Sequence, residues 1–262
     1  MYLGSVIDND DVHFESLLDD DDVFLDPRND KRIVEEWITD NYIIRGKLTI
    51  SDDLVVDCNN DVEIKNKNIT SLTNGLFRWG KVKWYFYCNG CKNLTSLKGA
   101  PKWVGGSFDC SRCEKLTSLK DAPKEVMKNF DCRDCKNLLS LKCAPVKVGW
   151  NFICTHCENL TSLEGAPEKI GGDFLCIRCE KLTTLKGAPK KVDKFFYCYK
   201  CEKLTSLEGA PEKVGEDFNC SNCDKLRSLE GGPGKVMGYF ICDDCDNLKI
   251  TDSDREKYKI VN

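Results

Sequence analysis

The residues best equipped for chemistry are cysteines. Eighteen occur, and sixteen of them fall into eight CxxC pairs: Cys88/Cys91, Cys110/Cys113, Cys132/Cys135, Cys154/Cys157, Cys176/Cys179, Cys198/Cys201, Cys220/Cys223 and Cys242/Cys245. Such a pair has four uses. It can ligate a metal, because CxxC pairs meeting in twos are the usual tetrahedral zinc arrangement. It can run dithiol chemistry, which needs an exposed thiolate at a helix start. It can close a disulfide, which belongs to oxidising compartments. Or it can fill a core, since free Cys behaves as a small, commonly buried hydrophobe. His13 and His156 are the only histidines. A repeated Cys/His or Ser/His catalytic arrangement therefore lacks its imidazole base, and the chain reads as a non-enzyme. The N-terminus has no basic start followed by an apolar stretch, and the apolar runs are short. The expectation is an intracellular, cytoplasmic chain without a membrane segment, its thiols reduced.

What positions these pairs is a repeat. They recur every 22 residues without an insertion from Cys88 to Cys242, in the frame FxCxxCxxLTSLxGAPxxVGxx. A unit this short cannot bury its own apolar face, so it must stack on its neighbours. In "GGDFLC", Phe174 and Cys176 alternate with Asp173 and Leu175, the period of two of a short strand with one face inside. Eight such strands side by side would make one parallel sheet roughly 34 Å long at ~4.8 Å per strand. The Gly-Ala-Pro segment has no amphipathic helical pattern, which makes the other side of each coil extended or turn-like. The fold class expected is mainly β: a solenoid of 22-residue coils with one parallel sheet and a small N-terminal helical cap.

"FICTHCENLTSL", from Phe152 to Leu163, resembles the leucine-rich repeat frame LxLxxCxxLT, the variant with Cys where Asn is commoner. "LTSLEGAPEKIGGDF" is similar to the compact repeats of bacterial leucine-rich effectors, and more closely to the short repeat proteins of phages and large DNA viruses. The likeness covers about Ile64 to Leu248. It implies a non-catalytic leucine-rich repeat scaffold that presents a surface, as a viral protein in the host cell cytoplasm or in the virion. The Asn position is Cys in all eight repeats, a departure that takes away the Asn side chains of that family's hydrogen-bond ladder.

Four segments follow. Residues 1–29 form an acidic, mobile N-terminal segment, and residues 30–85 a cap made of a helix and degenerate coils. Residues 86–248 hold the eight repeats, and residues 249–262 a C-terminal cap. In the first cap, Ile33 with Trp37 and Val34 with Ile38 have helical spacing. Residues 1–45 carry 13 acids and 4 bases, a net of −9, and the segment from Asp8 to Asp22 has too little hydrophobicity for its charge. It reads first as a solvated tail.

Two readings of the cysteines stay open. In the leucine-rich register both members of each pair point inward, giving two columns of packed thiols and no cofactor. Alternatively, pairs from neighbouring coils share zinc, and metal knits the coils of a structural or virion protein. Pairing coils in twos predicts a 44-residue alternation, and the sequence has none. No strand-to-helix context favours redox chemistry.

Specificity belongs to the outward strand positions, which vary while the inward frame stays constant. Ile153, Leu175, Ile177, Phe195, Tyr197 and Tyr199 would be adjacent and exposed, with Tyr87 before them and Tyr239 and Ile241 beyond. An apolar, aromatic patch of this kind marks a protein-binding site on the strand (concave) face, with self-association as its other use. A second row, Lys147, Lys169, Lys191, Lys213 and Lys235, falls beside the Gly-Ala-Pro turns. Stacked like charges suit an anion track. Yet Glu168 and Glu212 lie next to it, and residues 88–248 hold 25 bases against 22 acids. That net of +3 is a modest footprint for nucleic acid, which is not the partner expected.

Overall fold

The structure, a computed structural model, describes residues 31–262; the acidic segment assigned to residues 1–29 lies outside them. The chain opens with helix α1 (Lys31–Asn41), whose Val34 and Ile38 are buried. Five short strands follow: β1 (Tyr42–Ile44), β2 (Leu48–Ile50), β3 (Val55–Cys58), β4 (Val62–Ile64) and β5 (Arg78–Val82). From β6 (Phe86–Tyr87) to β20 (Phe240–Ile241) two-residue strands alternate. The even-numbered ones begin each coil at Phe, and the odd-numbered ones, from β7 (Trp103–Val104) to β19 (Lys235–Val236), end on the Val or Ile after the Pro turn. Helix α2 (Asp252–Lys257) and β21 (Ile260–Val261) complete it.

These strands form a mainly β solenoid of stacked 22-residue coils, with no helix in the repeats. The expected parallel ladder of Phe strands is present as the centre of an 11-stranded sheet. The expectation of one sheet is corrected, because the Val and Ile strands build a second, 10-stranded sheet on another side of the coil. Its strands alternate only once, Lys outward and Val inward, too short a run for period-two patterning to reveal. Backbone bonding runs in opposite directions in the two sheets. In the first, Phe86 N–H donates forward to Ser107 C=O and Cys88 N–H to Asp109 C=O; in the second, Met127 N–H donates back to Val104 C=O. Each coil is thus tied to both neighbours, which lets strands of two residues persist.

Inside, identical residues stack. The Phe rings from Phe86 to Phe218 lie 5.2–5.6 Å apart between successive coils. The two Leu columns and the Val/Ile column are fully buried through most of their length. Burying one such side chain stabilises the fold by roughly 1.5–3 kcal/mol. Aromatic plugs close the Phe column at both ends. Trp79 and Tyr42 sit against Phe86 at 5.8 and 6.4 Å, and Tyr258 lies 4.6 Å from Phe240. Tyr42 donates its hydroxyl to Leu72 C=O, and Tyr258 does so to Pro233 C=O at 2.6 Å. At the ends β1 and β2 pair antiparallel with β4 and β3, while β21 extends the first sheet past β20. Among the described residues no helix is long and apolar enough to cross a membrane.

One backbone device aims each CxxC. The second residue between the cysteines adopts a left-handed conformation in every repeat, as at Arg112, Asp134, His156, Arg178, Lys200, Asn222 and Asp244 with φ of 51–58°. The turn this makes returns the second Cys to the inside. A second left-handed site lies before Ala-Pro. There Gly165 (φ 94°) passes so close to the previous coil that a Cβ would sit 2.5 Å from the Lys142 backbone. Asp121 and Cys143 occupy the equivalent turn in their coils with φ of 66° and 68°, an arrangement that favours glycine.

Candidate protein-interaction face

The cysteine pairs lie inside. All sixteen paired cysteines are buried except Cys245, which is half-buried. The two members do different work. In every pair after the first, the second thiol donates to the backbone carbonyl of the first Cys in the preceding coil: Cys113 to Cys88, Cys135 to Cys110, Cys157 to Cys132, Cys179 to Cys154, Cys201 to Cys176, Cys223 to Cys198 and Cys245 to Cys220, all at 3.2–3.5 Å. A thiol ladder thus stands where the resembled family has Asn. Burial, reinforced by neighbouring thiols, holds Cys88, Cys176, Cys198 and Cys220 well above the ordinary thiol range. It also pushes Cys91 up to about 11 and Cys242 to about 12. Among the described residues no three His, Cys, Asp or Glu side chains are arranged to hold a metal ion.

The outer face of the Phe strands differs from coil to coil. In the second and third coils it is polar and internally satisfied. Asp109 and Asp131 accept the N–H of Ser111 and Arg133 two residues on, and Asp131 also takes the Arg133 guanidinium. Asn219 repeats the turn with Ser221. From the fourth to the sixth coil the same positions hold Ile153, Leu175 and Tyr197, directly in register. Ile177 and Tyr199 lie alongside, and Phe195 and Tyr197 approach to 5.3 Å. All six are half-buried by their neighbours rather than exposed. The structure therefore gathers six of the nine sequence-selected residues. Tyr87 is apart, separated from Ile153 by Asp109 and Asp131 and stacked on Tyr85 at 5.5 Å. Ile241 is cut off by Asn219, and Tyr239, at 55% exposure, belongs with it at the C-terminal end.

A ladder just before each Phe was missed by sequence reasoning. Ser107, Asn129 and Asn151 each accept the backbone N–H of the same position in the next coil, at 2.9–3.1 Å, and Asp173 accepts that of Phe195 at 3.4 Å. Asp217 does the same for Tyr239. At Phe195 the ladder breaks, because phenylalanine offers no acceptor. The signal was available as a 22-residue recurrence of Asn, Asp and Ser, but it counts only once coils are known to stack at this point. Also unforeseen is a corner where the Lys128 ammonium lies 5.1–5.4 Å from the ring centres of Trp84, Tyr85 and Trp150.

Charge frames the patch. The carboxylates of Asp217 and Asp173, secondary to partial burial, raise the Tyr197 phenol above its ordinary range. Arg178 and Lys200 follow Ile177 and Tyr199 at the turn. Beyond that turn an open groove of about 490 Å³ is lined only by charged and polar side chains, Glu180, Glu202 and Asp224 among them. It lacks the apolar lining typical of small-molecule sites. No protein-family model matches the chain, and no curated protein or solved structure does either.

Proposed function

We propose that the protein is a non-catalytic repeat scaffold that binds another protein through the outer face of the Phe strands in its fourth to sixth coils. The observation that carries this reading is the exchange at Phe195. Its neighbours along the ladder spend this position on a hydrogen bond to the next coil, and Phe195 gives that up for an aromatic surface beside Tyr197. Ile153 and Leu175 likewise replace the turn-capping Asp and Asn of other coils. An apolar centre inside a charged rim is the anatomy of a protein interface. Asp173 and Asp217 on one rim suit a partner with apolar anchors and a basic edge.

The packing of the pairs inside the coils, with second thiols bonded to backbone carbonyls of the preceding coil, supports a structural role for the cysteines. The resemblance to short viral and leucine-rich repeats is the sole basis for reading the chain as a viral protein acting inside a host cell. The test is affinity capture from extracts of the natural host with the intact chain and with Leu175→Glu and Tyr197→Glu. A specific partner should be retained by the intact chain and weakened at least ~30-fold by either variant, with thermal unfolding unchanged. Equal capture by the variants discards this face.

A further inference from the structure

The corner between the two sheets, where each coil passes from a Val or Ile strand to the next Phe strand, carries a row of its own. Trp84, Gly106, Lys128, Trp150, Gly172 and Lys194 hold the same position in six successive coils, and each backbone N–H donates to the carbonyl of the one before at 2.6–3.2 Å. Along the solenoid Trp-Gly-Lys thus occurs twice, and Glu216 follows. At ~4.8 Å per coil the six positions run about 24 Å. Five tryptophans occur in the chain, and the two that are exposed, Trp84 at 43% and Trp150 at 54%, are both in this row.

Stacking accounts for the glycines. A Cβ at Gly106 would sit 2.3 Å from the Trp84 carbonyl oxygen, and one at Gly172 2.2 Å from the Asn151 side chain. The floor between rings and cations is therefore bare. Across the first bare step the Lys128 ammonium lies 5.3 Å from the Trp84 ring centre, and on its other side 5.1 Å from that of Trp150. It also donates to the Tyr85 hydroxyl at 3.2 Å. Two exposed indoles converge on one cation.

Such rings suit either a further cation or a flat π system that carries negative charge. Charge decides between them. Lys128 and Lys194 make no ion pair among the described residues, Lys83 adjoins Trp84, and Asp193 beside Lys194 is already shared by Lys169 and Lys191. An incoming cation is repelled by these ammonium groups and an anion is attracted. Flat π faces joined to regularly spaced negative charge are the chemistry of single-stranded nucleic acid, whose bases stack on aromatic side chains while lysines follow its phosphates. A duplex hides those faces in its own stack.

We propose that this row is a track for single-stranded nucleic acid, with bases stacked on Trp84 and Trp150 and phosphates held by Lys128 and Lys194. Lys128 leaves the ring faces for a phosphate as a base takes its place. The exchange is favourable because a base stacked on a ring is worth more than an exposed cation–π contact. The net of +3 over residues 88–248 supplies little long-range attraction, so affinity rests on stacking, and two phosphate contacts give a log–log salt slope of only about −1.4. The row is not the Ile153, Leu175 and Tyr197 patch, and the inference stands or falls independently of the proposed partner site.

Fluorescence anisotropy of a labelled, mixed-sequence single-stranded DNA of about 15 nucleotides tests it on the full chain. The intact protein should bind the strand roughly tenfold or more tightly than the matching duplex, with quenching of tryptophan fluorescence. Trp84→Ala with Trp150→Ala should weaken binding roughly tenfold or more, with thermal unfolding unchanged. Trp84→Phe with Trp150→Phe, which keeps a ring at each place, should retain most of the affinity. Lys128→Gln with Lys194→Gln should bring the salt slope close to zero, and Leu175→Glu should leave binding as it is. No binding of the strand, equal binding of strand and duplex, or equal loss in the Phe and Ala pairs overturns the track. So does unchanged affinity in the Ala pair with inorganic polyphosphate competing as well as DNA, which would mark a surface that attracts charge alone.

Discussion

The two faces of the first sheet are made by the same two-residue strands and follow different rules. On the inner face Phe and Cys recur without substitution through eight coils, and the Phe rings stack at nearly constant spacing. On the outer face the second and third coils carry carboxylates that cap their own turns, and the fourth to sixth carry Ile, Leu, Phe and Tyr. The difference is one of shared fate. An inner residue must fit the coil above and the coil below, so one departure disturbs three layers. An outer residue meets solvent and can change alone. Where such a residue surrenders a hydrogen bond its counterparts make, as Phe195 does, the aromatic contact it gains is of similar worth, so stability alone does not dictate the choice.

Several experiments would break or sharpen this contrast, and raising the pH should have the largest effect. The raised thiols of the inner face keep their protons in the folded state, whereas in the unfolded chain they titrate near the ordinary value of 9.0. Above that value the unfolded chain binds fewer protons than the folded one, so stability falls with rising pH. The contribution is whole below pH 9 and is lost as the pH approaches the folded values of about 11 for Cys91 and about 12 for Cys242. Each such thiol subtracts about 1.4 kcal/mol per pH unit within that window. Circular dichroism should therefore show cooperative unfolding soon above pH 9; a fold intact at pH 11 contradicts the thiol columns.

Next in size is Phe152→Ala. Removing a ring from the middle of the stack should cost about 3–5 kcal/mol by denaturant unfolding, and a loss below about 1 kcal/mol would show that the column tolerates gaps. Cys157→Ala deletes the donor to Cys132 C=O. A cost of about 1–3 kcal/mol is expected, with the metal content measured by mass spectrometry unaffected. Zinc present in the intact protein and released by this substitution would make metal the link between coils. Smallest is Phe195→Asn. It restores an acceptor for the Asp217 N–H, a gain of about 0.5–1.5 kcal/mol, against the loss of an aromatic pair of similar worth. Unfolding should shift by less than about 1 kcal/mol while partner binding weakens; a change as large as that of Phe152→Ala would place Phe195 on the structural side of the comparison.

Much of this was legible in the residues because the repeat is exact. The 22-residue period with its inward Phe, Cys, Leu and Val marks the solenoid and its Phe ladder. Helical spacing of Val34 and Ile38 marks α1. The second sheet was not legible, since Lys-Val alone is no pattern. Nor was the break between Tyr87 and Ile153, which depends on which strands intervene.

By itself, then, the sequence determined that coils stack and which side chains are their interior, because a short unit repeated without insertion has no other way to bury its apolar residues. Only the tertiary structure decided which acceptor each second thiol meets. A CxxC pair has the same spacing whether it holds zinc or a carbonyl. The left-handed turn between its members and the position of the preceding coil bring the second thiol to a backbone acceptor in the core. The same stacking decided which outer residues meet, because residues 22 apart along the chain become neighbours only after the coils close.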